Sequence, residues 1–215
     1  MKIDTVLFDL DGTLVNTNDL ILASFKHTIN HYMPEKAESF DITPYIGQPL
    51  IEIFESIDKE KAHEMLQMYR KHNAENHDLL IKEYDGVYEA VKQLKEQGLK
   101  LAVVTNKVHE MARRGLQATR LDPFFDVVVG FDDVSRGKPH AEPIMKALKS
   151  LDATPESALM VGDSQFDVQA GKNAGTYTAC VGWSLKKNEI IQQLNPDYVV
   201  HHMSEVVEIV GVKQR

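Results

Sequence analysis

The chain has 215 residues, 43% of them hydrophobic, with 32 acidic side chains against 24 basic ones and a formal net charge of -8 at pH 7. That length suits one large domain or a core with a modest insertion, and the apolar content is enough to bury a sizeable core. Lys and Arg are scattered among acids rather than gathered in the stripe that tracks a phosphate backbone, which argues against nucleic acid as a partner. No stretch reaches the ~18 apolar residues of a membrane span. The start "MKIDTVLFD" shows no leader pattern, and Cys180 is the only cysteine, so a reducing cytoplasm is the expected compartment.

In chain order, the first apolar run is "DTVLFDL" (4–10), short enough for a strand buried on both faces. Helical patterns follow at 18–33, 50–57 and 59–82, with no convincing strand among them. From residue 87 onward the pattern changes. Helical segments at 87–97, 110–119, 142–151, 165–174 and 204–210 alternate with apolar runs at 99–106, 124–130, 157–163, 176–182 and 196–200. Strand and helix in alternation predict an α/β fold, a parallel sheet with helices on both faces. About 70 helical residues placed between the first strand and the first core helix cannot pack inside that sheet. They are expected to form a helical cap over residues 16–83, with 1–15 and 84–215 as the α/β core and with 12–16 and 83–86 as linkers.

In an open parallel sheet, ligands sit outside the carboxyl ends of the strands, so the residues closing each apolar run carry the chemistry. The first run closes with Asp9 and Asp11, the second with Thr105 and Asn106, and "ALMVGDSQFD" with Asp163 and then Asp167; the loop "GFDDVSRGKPH" supplies Lys138. Each fragment alone could be a turn or a helix cap, but their order at successive strand ends has no such account. Carboxylates crowd together when a hard divalent cation lies between them, and Mg²⁺ favours a few carboxylates, waters and substrate phosphate. Asp9, the Asp11 backbone carbonyl and Asp163 are the expected metal ligands. A metal-neutralised carboxylate can attack phosphorus, so Asp9 is the expected nucleophile, and Asp11 is the acid and base that serves the two displacements. The Thr105 hydroxyl, backbone N–H groups near Gly12 and Asn106, and the Lys138 ammonium are expected to hold the phosphoryl oxygens. Asp167 is expected in support, orienting Lys138 or a metal-bound water.

The four motifs "DLDGT" (9–13), "VVTN" (103–106), Lys138 in "GKP" and "GDSQFD" (162–167) resemble those of the haloacid dehalogenase superfamily of phosphatases over essentially the whole chain. The resemblance implies a Rossmann-like core with a C1-type helical cap, and it repeats the roles given above for Asp9, Asp11, Thr105, Lys138 and Asp163. Within the superfamily, stretches such as "YRKHNAENHD" (69–78) and "FFDVVVGFDDV" (124–134) are most similar to a small bacterial pyrophosphatase branch, with phosphoglycolate phosphatases sharing the cap class. The partner implied is a small phosphorylated substrate. The chain departs from the usual Lys-Pro-Asp-Pro at His140 and Ala141, which removes an acidic cap from the next helix. A phosphomutase and a phospho-accepting signalling switch are the other classes these residues allow.

On the cap, Gln48 in "YIGQPL" is a candidate specificity residue, because Gly47 and Pro49 suit a loop dipping toward the cleft. Lys26, Arg70, Lys71 and Lys82 are cationic candidates for substrate contact, each more simply read as a solvated charge. His27, His31, His63, His72, His77 and His109 are expected on solvated helix faces, and His201–His202 in an exposed loop.

Overall fold

The structure is a computed structural model that describes residues 3–183 and 193–211; Met1 and Lys2 of the N-terminal reading, and parts of the expected core segment 84–215, lie outside them. Six strands, β1 (Thr5–Phe8), β4 (Lys100–Val104), β5 (Val127–Val129), β6 (Ala158–Gly162), β7 (Tyr177–Val181) and β8 (Tyr198–Val200), form one parallel sheet in the order β5-β4-β1-β6-β7-β8. The chain leaves β1 toward β4 and β5, then returns past it to β6. The order therefore reverses at β1, the place where such sheets open a crevice at their carboxyl edge.

Alternation along the central strands divides the core in two. Val6, Phe8, Leu101, Val103, Leu159 and Val161 face α4 (Val87–Glu96), α5 (His109–Ala118) and α8 (Met203–Ile209). Leu7, Ala102, Val104, Ala158 and Met160 face α6 (Glu142–Ser150) and α7 (Gln165–Ala174). Both faces are covered, which is why these strands read as unbroken apolar runs.

The helical block between β1 and α4 has an apolar cluster of its own. Helices α1 (Asn18–Tyr32), α2 (Leu50–Ile57) and α3 (Ala62–Leu80) pack around Phe25, Ile29, Phe54, Met65 and Tyr69, with the Phe25 and Tyr69 rings 4.8 Å apart. The two segments expected as linkers hold a regular structure that the sequence reading did not anticipate. β2 (Val15–Asn16) and β3 (Lys82–Glu83) pair antiparallel, so the entry to the block and its exit are joined as a two-stranded ribbon. Val and Asn opposite Lys and Glu give no apolar alternation by which such a ribbon could be read.

Candidate active site

The carboxyl ends of β1, β4 and β6 converge. The Asp9 N–H donates to the Val161 carbonyl at 2.8 Å, so the ladder runs one residue past β1. The extended geometry persists far enough for Leu10 to be buried in the core while Asp9 and Asp11 both line one cavity. Gly12 then turns the chain with φ +81°, and the Leu10 carbonyl accepts from the N–H groups of Leu14 and Val15. A Cβ at Gly12 would lie 2.5 Å from Asp163 Oδ2, so the absence of a side chain makes room for the carboxylate arriving from β6.

Lys138, only 2% exposed, lies between two acids. Its Nζ donates to Asp9 Oδ1 at 2.7 Å, to Asp167 Oδ1 at 2.5 Å and to the Val104 carbonyl at 2.8 Å. Those three bonds use all three ammonium protons. Lys138 therefore anchors the Asp9 carboxylate, and it does not line the cavity, which differs from the expectation that it holds phosphate oxygens directly. While Asp167 Oδ1 accepts from Lys138, its second oxygen accepts from the Ser164 N–H and hydroxyl at 2.9 and 2.6 Å, capping α7.

Asp11 is held by a residue the sequence reading passed over. Lys107 Nζ donates to Asp11 Oδ1 at 2.8 Å and to Oδ2 at 3.0 Å. The signal was present, since Lys107 directly follows "VVTN" at the end of β4. Thr105 lines the cavity with its Oγ1 accepting from the Lys107 N–H at 3.2 Å. Asn106 works through its side chain, donating to the carbonyls of Gly47 at 2.8 Å and Lys138 at 2.9 Å while accepting from the Lys138 N–H at 2.9 Å. It ties the 46–49 loop to the Lys138 loop. Gly47, with φ +86°, and Gln48 both line the cavity.

Four carboxylates and two ammonium groups thus meet at the strand ends. Burial pushes the Asp9 carboxyl up to about 7; Lys138 works against this, while the charges of Asp167 and Asp11 add to it. Burial alone would lower the Lys138 pKa, but Asp167 and Asp9 more than offset it and keep the ammonium protonated. Asp9, Asp163 and Asp167 each offer an oxygen within 4.8 Å of the others. This all-oxygen, anionic donor set fits a hard divalent cation. Asp11, expected to contribute its backbone carbonyl, is outside this carboxylate trio because its side chain is turned to Lys107.

The cavity has a volume of about 260 Å³ and lies between these strand ends and the helical block. Its walls are largely apolar, including Ile21, Phe25, Tyr45, Ile51 and Met111. His77 corrects an expectation: it is fully buried in α3 rather than solvated, with Nδ1 2.7 Å from Asp78 Oδ1. A polar-looking neighbourhood in sequence concealed that position 77 faces α5, where Arg114 binds Asp78 at 2.9 Å. His201 and His202 are exposed as expected, and His202 caps α8 by accepting from the Ser204 N–H.

The family model for haloacid dehalogenase-like hydrolases matches residues 6–181. A curated relative, the pyrophosphatase PpaX of Bacillus cereus, is 50% identical over 215 residues, the whole of both chains. Among solved structures, a haloacid dehalogenase-like family hydrolase from Streptococcus pneumoniae superposes with TM-score 0.84 at 26% identity, covering 96% of this chain and 98% of that one. A further structure, described as a predicted phosphoglycolate phosphatase from Haemophilus somnus, gives TM-score 0.82 at 26% identity over 97% and 98% of the two chains. With a match across most of its length and a buried acid cluster at the reversal point of its sheet, the chain belongs to the haloacid dehalogenase-like hydrolase family.

Proposed function

We propose that the protein is a Mg²⁺-dependent phosphohydrolase that acts on a small phosphorylated substrate through an aspartyl-phosphate on Asp9, with inorganic pyrophosphate as that substrate. The observation that carries this reading is the anchoring of Asp9 by Lys138 at the mouth of a cavity that Asp11, Thr105 and Asp163 also line. Residues 16–83 act as the cap and 1–15 with 84–215 as the catalytic core. The name of the half-identical relative supports pyrophosphate in particular. The phosphoglycolate phosphatase likeness favours a second reading with the same chemistry and a different leaving group.

Bound at Asp9 and Asp163 beside Asp167, Mg²⁺ would supply charge neutralisation for the carboxylates and the phosphoryl oxygens. Asp9 Oδ1 is fixed by Lys138, which leaves Oδ2 to attack phosphorus. The phosphorus–oxygen bond to the leaving group breaks, and Asp11, having first taken a proton from solvent on one oxygen in place of its bond from Lys107, gives the leaving oxygen that proton. Asp11, now ionised, takes a proton from the water that attacks the aspartyl-phosphate, releasing phosphate and restoring Asp9. Thr105 and backbone N–H groups near Asn106 hold the equatorial oxygens. The apolar walls exclude bulk water from the first displacement.

Phosphate release is measured with Mg²⁺ or EDTA across pyrophosphate, 2-phosphoglycolate, sugar phosphates and nucleotides, ranked by kcat/KM. Highest turnover of pyrophosphate, lost with EDTA, is the expected result. Preference for phosphoglycolate moves the substrate and keeps the chemistry, an isomerised product identifies a mutase, and no turnover of any compound overturns the hydrolase reading.

A further inference from the structure

Of the four cationic candidates for substrate contact on the helical block, Lys26 is paired with Glu38 and Lys82 with Asp19, and Lys71 does not line the cavity. Arg70 does line it. Among the described residues every other arginine (Arg113, Arg114, Arg120 and Arg136) is engaged with a carboxylate, whereas Arg70 has no ion pair.

Its direction follows from α3. Positions 70, 73, 74 and 77 recur at helical spacing and share one face. That face is turned to the core: Asn73 and Ala74 line the cavity, the Ala74 carbonyl accepts from Arg114 Nη1 at 3.0 Å, and His77 is buried beside Gly115. Arg70 stands one turn earlier at the edge of that face, where it lines the cavity while its side chain remains exposed.

The charges in the cavity leave Arg70 one role. Lys107 is committed to Asp11 and Lys138 to Asp9 and Asp167. The remaining polar side chains from the helical block, Asn18, Tyr45, Gln48, Tyr69 and Asn73, carry no positive charge, and the rest of that wall is apolar. A leaving group that brings its own negative charge into such walls would lose its hydration without replacement unless a cation met it. A guanidinium presents the fork that matches phosphate or carboxylate oxygens.

We propose that Arg70 binds the second anionic group of the substrate, the one carried by the leaving group, so that the cavity selects phosphoryl compounds whose leaving group is itself an anion. This rests on the phosphohydrolase reading and narrows it. The oxyanion is either the outer phosphate of pyrophosphate or the carboxylate of a phosphorylated hydroxy acid.

The test uses the full chain with Mg²⁺ and the variants Arg70→Gln, Arg70→Lys and, as a neighbouring control, Lys71→Gln. Calorimetry gives the affinities for methylenediphosphonate, phosphonoacetate and methylphosphonate, and kcat/KM is taken for pyrophosphate and for p-nitrophenyl phosphate, whose leaving group carries no anionic substituent. Arg70→Gln is expected to weaken methylenediphosphonate by roughly tenfold or more, as losing a charge-assisted bond does, while leaving methylphosphonate and p-nitrophenyl phosphate nearly unchanged. Arg70→Lys should fall between, and Lys71→Gln should match the unaltered protein. The same loss confined to phosphonoacetate supports the site with a carboxylate as its anion. Equal losses on all ligands, or none on any, overturn the proposal even if p-nitrophenyl phosphate is still hydrolysed. An Arg70-dependent diphosphonate affinity in a protein that hydrolyses none of the phosphate compounds supports the anion site and removes the phosphohydrolase reading instead.

Discussion

Lys107 reaches both oxygens of the Asp11 carboxylate, at 2.8 and 3.0 Å, across 96 residues of sequence. The pair is largely enclosed, with 12% of the lysine side chain and 21% of the aspartate side chain exposed. Two bonds fix the carboxylate's position and orientation more tightly than one would. The proton-transfer role proposed for Asp11 depends on that placement.

Replacing Lys107 with Met is therefore expected to lower kcat by about 100-fold, the lower end of the roughly 100- to 10,000-fold contribution of general acid–base groups. Asp9 and Thr105, the proposed phosphoryl contacts, are left in place, so KM should move much less. Steady-state kinetics on pyrophosphate check this, and a change confined to KM would count against the positioning role.

Lys138→Met leaves Asp9 and Asp167 buried beside each other with no ammonium between them. Breaking a buried pair by removing one partner costs about 3–5 kcal/mol. Urea unfolding should show a loss of that order, and Mg²⁺ should recover part of it by binding the carboxylates. Activity should fall by more than 100-fold, because general electrostatic and orienting groups of this kind carry a few kcal/mol of the barrier.

Gly12→Ala puts a methyl group 2.5 Å from Asp163 Oδ2 on a residue with φ +81°. Left-handed strain alone costs an L-residue roughly 1–2 kcal/mol, and the close approach displaces a carboxylate of the acid trio. The rise in Tm on adding Mg²⁺ should shrink, together with turnover. An unchanged Mg²⁺-induced shift would show that Asp163 is not needed to hold the cation.

His77 gives the fold a pH dependence. Burial lowers its pKa; the bond to Asp78 opposes this, while Lys107 and Arg114 add to the lowering. Its Nδ1–H donates to Asp78, and Nε2 is buried without a hydrogen-bond partner among the described residues. Because the folded value lies below the unfolded one of about 6.5, the unfolded chain takes up the proton first. The stabilisation is complete above pH 6.5 and is lost as pH falls from there through the lowered folded value. Asp78, held down to about 2 chiefly by its bond to Arg114, stays ionised across that window. Chemical unfolding between pH 7.5 and 5 should show falling stability, and His77→Leu should flatten the slope. A slope that survives in the variant would assign it to another group.

Much of the layout was legible because the local patterns and the tertiary fold agree. The expected helix at 50–57 coincides with α2, and the one at 165–174 with α7. The central strands stand out because both their faces are covered. The residues closing them are conspicuous because polar groups interrupt buried runs. The β2–β3 ribbon escaped because pairs of two residues have no period, and His77 because the helix face that buries it is covered by α5 from a distant part of the chain.

Sequence alone determined the alternation of elements and the identity of the acids, since strand burial and carboxylate chemistry are local properties of side chains and their spacing. Only the tertiary structure decided how the charges are shared. It gave all three Lys138 protons to Asp9, Asp167 and the Val104 carbonyl, placed Lys107 on Asp11, and left Arg70 on the cavity wall without an ion pair. The physical reason is that an ion pair depends on separations of a few ångströms between residues tens of positions apart, and those separations exist only once the sheet has brought its strand ends together.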